Sequence, residues 1–418
     1  MIIRKAETDA SKGMLQVNVV SSANHFPIDH ATVSIADTSE PDQVLEEVDT
    51  NSSGQTPEIS LPAPPLAYSM QADEPRPYRE YTLRITAPGY EPVLITGTEV
   101  LPDVLALQPV QLRPVDLGPS PTDDVLIPDH TLYGEYPPKI AEPEIKPVGE
   151  SGEIVLSRVV VPETIVVHDG APTNNSAPNY YVPYKDYIKN VASSEIYATW
   201  PQSTITANVL AILSFTMNRV YTEWYRNRGY NFTITSSTAY DHKWIYGRNI
   251  YEEISQVVDD IFTSYLSRPD VKQPILTQYC DGKRVSCPNW MSQWGSKDLG
   301  DQGYSPTEII RYYYGDNMYI NTAEIISGIP SSWPGEPLRR GSRGDKVRQM
   351  QEQLNAIATV YTAIPSLAAD GIFGPATEAS VKDFQSIFGL PKTGVADYRT
   401  WYKISEIYVA VTRIAELS

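Results

Sequence analysis

The carboxyl of Glu195 has the setting in which acid chemistry could be built. It lies in the run from Tyr187 to Asn218, which reads as a short helix, a polar break carrying Ser193, Ser194 and Glu195, a Trp200-Pro201 turn, and then a longer apolar helix. Where one helix stops and the next has not begun, a carboxyl flanked by small residues and by Ile196, Tyr197 and Trp200 can be half desolvated. A half-desolvated carboxyl is the kind of group that general acid catalysis uses. A solvated turn residue is the ordinary reading of the same local pattern, because most such carboxylates do no chemistry. A second stretch, Cys287 to Ser296, gathers Trp290, Ser292, Gln293 and Trp294 into another polar-aromatic run.

The elements that must position these residues can be read around them. The helix after Trp200-Pro201 has Ser203 as its expected N-cap and keeps a helical period through Ile205, Val209, Ile212, Leu213 and Val220. A second helix is expected from Ile250 to Leu266, with Ile254, Val257, Val258, Ile261 and Phe262 on one face. Residues 274–280 read as a strand. Ser305-Pro306-Thr307-Glu308 opens a further helix with a capping box and Pro at its first position. Together, residues 163–333 make a central α+β unit.

Before it, residues 1–114 alternate short strands with turns. Leu15 to Val19, Thr32 to Ile35, Val44 to Val48 and Tyr81 to Ile85 are the clearest strands, so an antiparallel sandwich is expected. His25 and His30 fall in its loops. Residues 115–162 form a Pro-rich linker, including Leu117 to Pro121 and Tyr136-Pro137-Pro138, to which regular structure is denied. Exposed linkers are where proteases cut, so the expected processing site lies here. Residues 334–408 carry three helical patterns separated by Asp370-Gly371 and Pro391-Lys392-Thr393-Gly394, and 409–418 would end the last helix.

Bulk properties narrow the function. At 418 residues the chain exceeds one core. Its 33 Lys+Arg against 51 Asp+Glu give a net charge of -18, which argues against nucleic acid and against an anionic membrane surface. The 28 Tyr, against 7 Phe and 7 Trp, suit a sugar-binding cleft, and equally a wet, irregular structure. The N-terminal residues lack an apolar signal-peptide core, and no apolar run approaches the ~20 residues that span a bilayer. Two cysteines, Cys280 and Cys287, cannot make a disulfide scaffold. A hairpin disulfide, half a metal site and two buried thiols are all open for them. With no His close in sequence, paired or buried thiols are favoured over metal.

Two motifs in order carry a family resemblance. YIKNVASSEIYATWP, residues 187–201, and MSQWGS followed by GYSPTEIIRYYYG, residues 291–315, resemble the signatures of the stage II sporulation protein D family. That family consists of lytic transglycosylases acting on peptidoglycan glycan strands. The resemblance makes Glu195 the catalytic acid. It makes Ser194, Tyr279, Ser292 and Gln293 candidates for holding sugar groups, and Trp200 or Trp294 candidates for stacking on a sugar face. Cys287 stands where the family usually has a His, and the region of His242 has none of the Cys residues that zinc-binding members use, so neither metal nor cofactor is expected. The N-terminal pattern, with Ala87-Pro88-Gly89-Tyr90, resembles transthyretin-like domains. The C-terminal pattern, with Asp370-Gly371-Ile372-Phe373-Gly374 and Thr400-Trp401, resembles the three-helix peptidoglycan-binding domain.

The order of these units resembles that of the spore cortex-lytic enzymes. The resemblance implies an inactive precursor, laid down by the mother cell in the cortex and coat region of the spore without a signal peptide. A subtilisin-like Csp germination protease would activate it, and cortex glycan strands would be its substrate. Cleavage would leave 1,6-anhydromuramic ends. Three rivals stand beside this reading. A muramidase would need a second carboxylate near Glu195, with Asp298 or Asp241 as candidates. A non-catalytic wall-binding protein and a phage or tail-associated wall lysin are the others.

Overall fold

The computed structural model describes residues 11–115, 124–146, 156–285, 287–323, 325–327 and 333–412. The 117–121 and 147–155 parts of the linker, where a processing site was expected, and residues 413–418 lie outside them. No helix among the described residues is long and apolar enough to cross a membrane.

The N-terminal unit packs two sheets. Its elements are β1 (Ser11–Ser21), β2 (Thr32–Asp37), β3 (Val44–Asp49), β4 (Ile59–Ala63), α1 (Ala67–Met70), β5 (Arg79–Thr86), β6 (Val93–Val100), β7 (Leu105–Leu112) and β8 (Val125–Leu126). One sheet contains β7-β1-β4 and the other runs β3-β2-β5-β6-β8. Strand β1 buries alternate residues, with Leu15, Val17 and Val19 fully enclosed, as a half-buried strand must. The expectation of purely antiparallel pairing is corrected. β1 runs parallel to β7, from Met14 opposite Leu105 to Ser21 opposite Leu112, and β8 runs parallel to β6. Side-chain alternation reports which face is buried, not the direction of the neighbouring strand.

The described residues 127–146 of the linker carry no helix or strand, as expected, but they are not an exposed tether. After β8, residues 127–146 run as a strap across the central unit, with Ile127, Leu132 and Lys146 buried. Proline removes donors from this strap, and several of the N–H groups that remain find partners on the central unit. The Ile140 N–H donates to the Ala239 carbonyl at 2.8 Å, and the Lys146 N–H to Gln273 Oε1 at 2.7 Å. The strap leaves the sandwich over Gly97. This residue has φ +96°, and a Cβ on it would meet the Ile127 carbonyl oxygen at 2.4 Å.

The central unit begins with β9 (Val160–Val161), β10 (Thr164–His168) and β11 (Asn179–Pro183). It continues with α2 (Tyr184–Glu195), α3 (Gln202–Tyr221), β12 (Ile234–Thr235), β13 (Ile250–Tyr251), α4 (Glu252–Ile261) and β14 (Ser264–Ser267). It ends with β15 (Tyr279–Cys280), β16 (Met291–Ser292), α5 (Gln293–Asp301), α6 (Pro306–Tyr314), β17 (Tyr319–Thr322) and β18 (Ile325–Ile326). α3 is buried on nearly every side and forms the axis of this unit. α6 has the expected capping box, Ser305 with Glu308, and Pro306 at its start.

Several expected boundaries move. The polar Ser193-Ser194-Glu195 is the last turn of α2, and α3 starts at Gln202 behind Pro201, not behind Ser203. Of the strand expected at 274–280, only Tyr279–Cys280 forms. The helix expected from Ile250 to Leu266 is split between β13, α4 and β14, because Ile250 and Tyr251 pair with Leu107 and Ala106 of β7. The central unit therefore supplies the outer strand of the N-terminal sheet, whose order is β13-β7-β1-β4.

The C-terminal unit consists of α7 (Asp345–Ala358), α8 (Pro375–Ile387) and α9 (Tyr398–Thr412). Two buried glutamines hold its turns. Gln351 Oε1 accepts from the Gly371 N–H, and Gln385 Oε1 accepts from the Gly394 N–H, both at 2.8 Å.

Candidate functional site

Glu195 ends α2 and is 8% exposed. Oε1 accepts the Lys243 N–H at 2.7 Å, and Oε2 accepts Gln293 Nε2 at 2.8 Å. Gln293 Nε2 also donates to the Glu195 carbonyl at 2.7 Å, which ties the first residue of α5 to the last residue of α2. The two sequence stretches, almost a hundred residues apart, thus meet at one carboxyl.

The carboxyl faces a small cavity of about 60 Å³. Glu195, Tyr279, Asp281 and Gln293 line one side, and His130, Tyr136 and Lys139 of the strap line the other. That volume holds a few water molecules. It is well short of the several hundred Å³ of an ordinary ligand site. The strap is bonded into place. Its His130 Nε2 donates to the Ser194 carbonyl at 2.6 Å, and its Leu132 N–H donates to Tyr197 Oη at 3.0 Å. Lys139 Nζ donates to the Asp241 carbonyl at 2.8 Å and lies 4.5 Å from the Tyr279 ring centroid. Burial draws the Lys139 ammonium down, while Glu195 and Asp241 pull it the other way. Burial, with Arg248 and Lys243 adding to it, lowers His130 to about 3.

Behind the cavity, Tyr279 stacks on His242 with centroids 5.7 Å apart, and Tyr187 Oη lies 3.2 Å from His242 Nδ1. Burial keeps His242 neutral and raises both phenols. Cys280 and Cys287 form a disulfide, with Cα atoms 5.8 Å apart. It closes the loop that carries Asp281. Next to it Gly282 has φ +74°, and a Cβ there would lie 1.8 Å from Ser292 Oγ.

The other expected sugar-holding residues are not in the cavity wall. Trp200 is 3% exposed and donates Nε1–H to the Ser69 carbonyl of the sandwich, and Trp294 is 2% exposed and donates to the Leu132 carbonyl. Both indoles are packing groups here, because their apolar flanks recommended them equally for the core. Ser194 Oγ donates to the Asn190 carbonyl and accepts from Arg248. Ser292 Oγ caps α5 by accepting the Gly295 N–H at 2.9 Å.

Neither candidate second carboxylate belongs to the cavity wall. Asp241 is fully enclosed and held by Arg219 Nε at 2.7 Å, Tyr225 Oη at 2.6 Å and Thr235. Asp298 is surface-exposed, 3.8 Å from Lys283. The acidic residue that does share the cavity with Glu195 is Asp281. Sequence reasoning passed over it and over the strap's His130, Tyr136 and Lys139. The signals were an Asp-Gly pair beside a cysteine and a lysine set among prolines.

Residues 343–404 match the family described as a putative peptidoglycan binding domain. The C-terminal helical unit is a peptidoglycan-binding domain. This match ties the chain to the cell wall through its C-terminal unit. A stretch of 76 residues is 42% identical to the zinc D-Ala-D-Ala carboxypeptidase of Streptomyces albus G. That stretch covers 18% of this chain and 28% of that protein. Among solved structures, the SleB N-terminal domain is 27% identical, covering 18% of this chain and 99% of that one with a TM-score of 0.17. The Bacillus anthracis TIE protein is 15% identical over 25% of this chain and 17% of its own, with a TM-score of 0.19.

Proposed function

We propose that this chain is a lytic transglycosylase of the spore cortex-lytic, SleC-like type, made as a precursor whose strap covers the site. The observation that carries the reading is Glu195, a buried carboxyl gripped by the Lys243 N–H and Gln293, in a chain that carries a peptidoglycan-binding domain. In this reading Glu195, in its acid form, gives its proton to the glycosidic oxygen as the bond to the muramic C1 breaks. An oxocarbenium-like state forms. The muramic 6-hydroxyl then attacks C1 and its proton returns to the Glu195 carboxylate, leaving a 1,6-anhydro end. One carboxyl serves both steps because the nucleophile belongs to the sugar. Gln293 and Lys243 N–H hold the carboxyl in place, and the C-terminal domain concentrates the enzyme on an insoluble polymer.

The 60 Å³ cavity supports the precursor reading, since a glycan chain cannot enter beside His130, Tyr136 and Lys139. The strap must leave first. The strap continues the chain from β8, so a cut that lets it go must fall beyond Lys146. A subtilisin-like Csp protease acting during germination, and storage in the cortex and coat region, complete the proposal. The N-terminal sandwich is read as transthyretin-like. A muramidase stands as the second reading, because Asp281 puts another carboxylate in the same cavity.

The test uses the full chain with a site-specific protease sequence placed within residues 147–155, before and after cutting, beside Glu195→Gln. Products from cortex and vegetative peptidoglycan are read by mass spectrometry. Anhydromuramic ends from the cut chain, absent from the uncut chain and reduced about a thousandfold or more in the variant, are expected. Reducing ends would establish a muramidase instead. Binding without cleavage would leave a wall-anchoring protein.

A further inference from the structure

Asp281 is 8% exposed, lines the same cavity as Glu195, and its two carboxylate oxygens are treated differently. Oδ1 accepts the N–H groups of Lys283 and Val285, each at 2.9 Å, which folds the disulfide-closed loop. Oδ2 is buried and has no hydrogen-bond partner among the described residues. Loop folding accounts for the first oxygen and leaves the second without a structural task. A buried carboxylate oxygen left bare is costly, and such atoms in native structures have a reason. The loop is held from behind as well, since the Asp281 carbonyl accepts from Ser292 Oγ at 3.2 Å and from the Trp294 N–H at 3.3 Å. The carboxylate is therefore mounted on the strand pair β15 and β16 that also sets Gln293 against Glu195.

We propose that Asp281 is a second substrate-contacting carboxylate, whose Oδ2 faces the sugar ring and stabilises the positive charge that develops at the muramic C1. This rests on the transglycosylase reading above. In the balanced step the bond from C1 to the leaving oxygen breaks with its electron pair on oxygen, and Glu195 supplies the proton. The 6-oxygen bonds to C1, and the 6-hydroxyl proton goes to Glu195. Asp281 enters and leaves as a carboxylate, with no bond made to it. A fixed negative charge in a water-poor cavity acts on the charged transition state more than on the neutral substrate, so its effect belongs in kcat.

Asp281→Asn is the test, because the asparagine Oδ1 still accepts from Lys283 and Val285 and keeps the loop. It is made in the full chain cut within residues 147–155 and compared with the unsubstituted cut chain on soluble glycan strands. The expected result is a loss on the order of 10²-fold in kcat with KM changed less than about threefold. Thermal midpoint and peptidoglycan pull-down through the C-terminal domain should stay as in the unsubstituted chain. An unchanged kcat, or a loss that comes with a lowered thermal midpoint, overturns the proposal. If the unsubstituted chain makes anhydro ends and Asp281→Asn does so equally well, this inference falls and the transglycosylase reading stands. If the unsubstituted cut chain makes none, both fall together.

Discussion

The central unit is joined to its two neighbours by different physics. On the N-terminal side the junction is a shared sheet. β13 pairs with β7, and Asn249 continues the pairing with its side chain, accepting the Glu99 N–H and donating to the Glu99 carbonyl, both at 3.0 Å. Arg248 then reaches from Glu99, at 2.7 Å, to Ser194 Oγ, at 3.0 Å, one residue before Glu195. On the C-terminal side the junction joins ion pairs to aromatic packing, with Phe262 of the central unit against Tyr398 and Tyr402 of α9 at centroid distances of 6.1 and 5.6 Å. Glu406 of α9, 2.8 Å from Lys403 of its own helix, crosses to bond Lys185 of α2, and Lys185 and Lys189 in turn grip Asp259 of α4 inside the central unit at 3.1 and 2.8 Å. The sandwich is thus wired to the last turn of α2, where the candidate acid sits. The wall-binding domain is fastened to the first two turns, away from it. One neighbour meets α2 at the end that carries Glu195, and the other meets it at the far end.

The sharpest way to break this contrast is Arg248→Ala. It leaves Glu99 buried without its cation and removes a donor from Ser194. Breaking a buried pair from one side costs about 3–5 kcal/mol, because the remaining charge is uncompensated. Urea unfolding should show a loss of that size, and Arg248→Met with Glu99→Leu should recover most of it. A loss below about 1 kcal/mol would mean that strand pairing alone holds the sandwich.

A second, smaller effect separates the junctions by pH. Burial pushes Glu99 above the usual carboxylate range, with Arg248 opposing. Its contribution is therefore present in acid and lost as pH rises through the folded-state value. Burial would raise Asp259 as well, but Lys185 and Lys189 overcome it and hold the carboxyl well below the usual range. That contribution is complete above about pH 4 and is lost as pH falls further. Between pH 7 and pH 3, hydrogen exchange corrected for intrinsic rates should show α9 losing protection while β13 and β7 keep theirs. Asp259→Asn should cost about 1.5–3 kcal/mol at neutral pH and flatten the acid response of α9. Loss at β13 before α9 would reverse the assignment.

The sequence made some of this legible and hid the rest for identifiable reasons. The three helices after residue 334 were readable because their turns are local, with Gln351 answering Gly371 only twenty residues away. Glu195 was readable as a helix-end carboxyl, and α6 announced itself through Ser305 and Glu308. β13 was not readable, since Ile250 and Tyr251 continue the helical pattern of α4 and become a strand only because β7 offers an open edge. Trp200 and Trp294 could not be placed from sequence, because an indole that stacks on sugar and one that fills a core look alike there; in this structure both are buried. The strap was hidden because proline spacing says that 127–146 is not helix or sheet. It does not say what the segment lies against.

The strap belongs to both sides of the comparison, since it starts on the sandwich and ends on the central unit, and His130 gives the smallest effect that can sharpen it. Its ring is neutral in place. Nε2–H donates to the Ser194 carbonyl, Nδ1 faces Tyr136 Oη at 3.2 Å, and burial, with Arg248 and Lys243 nearby, lowers it to about 3. A displaced, hydrated imidazole titrates near 6.5. The folded value lies below the free one, so this contact is fully present above about pH 6.5 and weakens as pH falls through it. Mild acid should therefore open the strap while the Glu99 junction is favoured and the Asp259 junction is still intact. From pH 7 to pH 5, hydrogen exchange at residues 130–139 of the uncut chain should rise on the order of tenfold beyond the intrinsic change, about 1.4 kcal/mol. His130→Gln keeps an N–H for the Ser194 carbonyl but cannot titrate, so it should abolish the rise. A rise that survives in this variant would move the acid sensitivity away from His130 and make the strap respond through the sandwich beneath it.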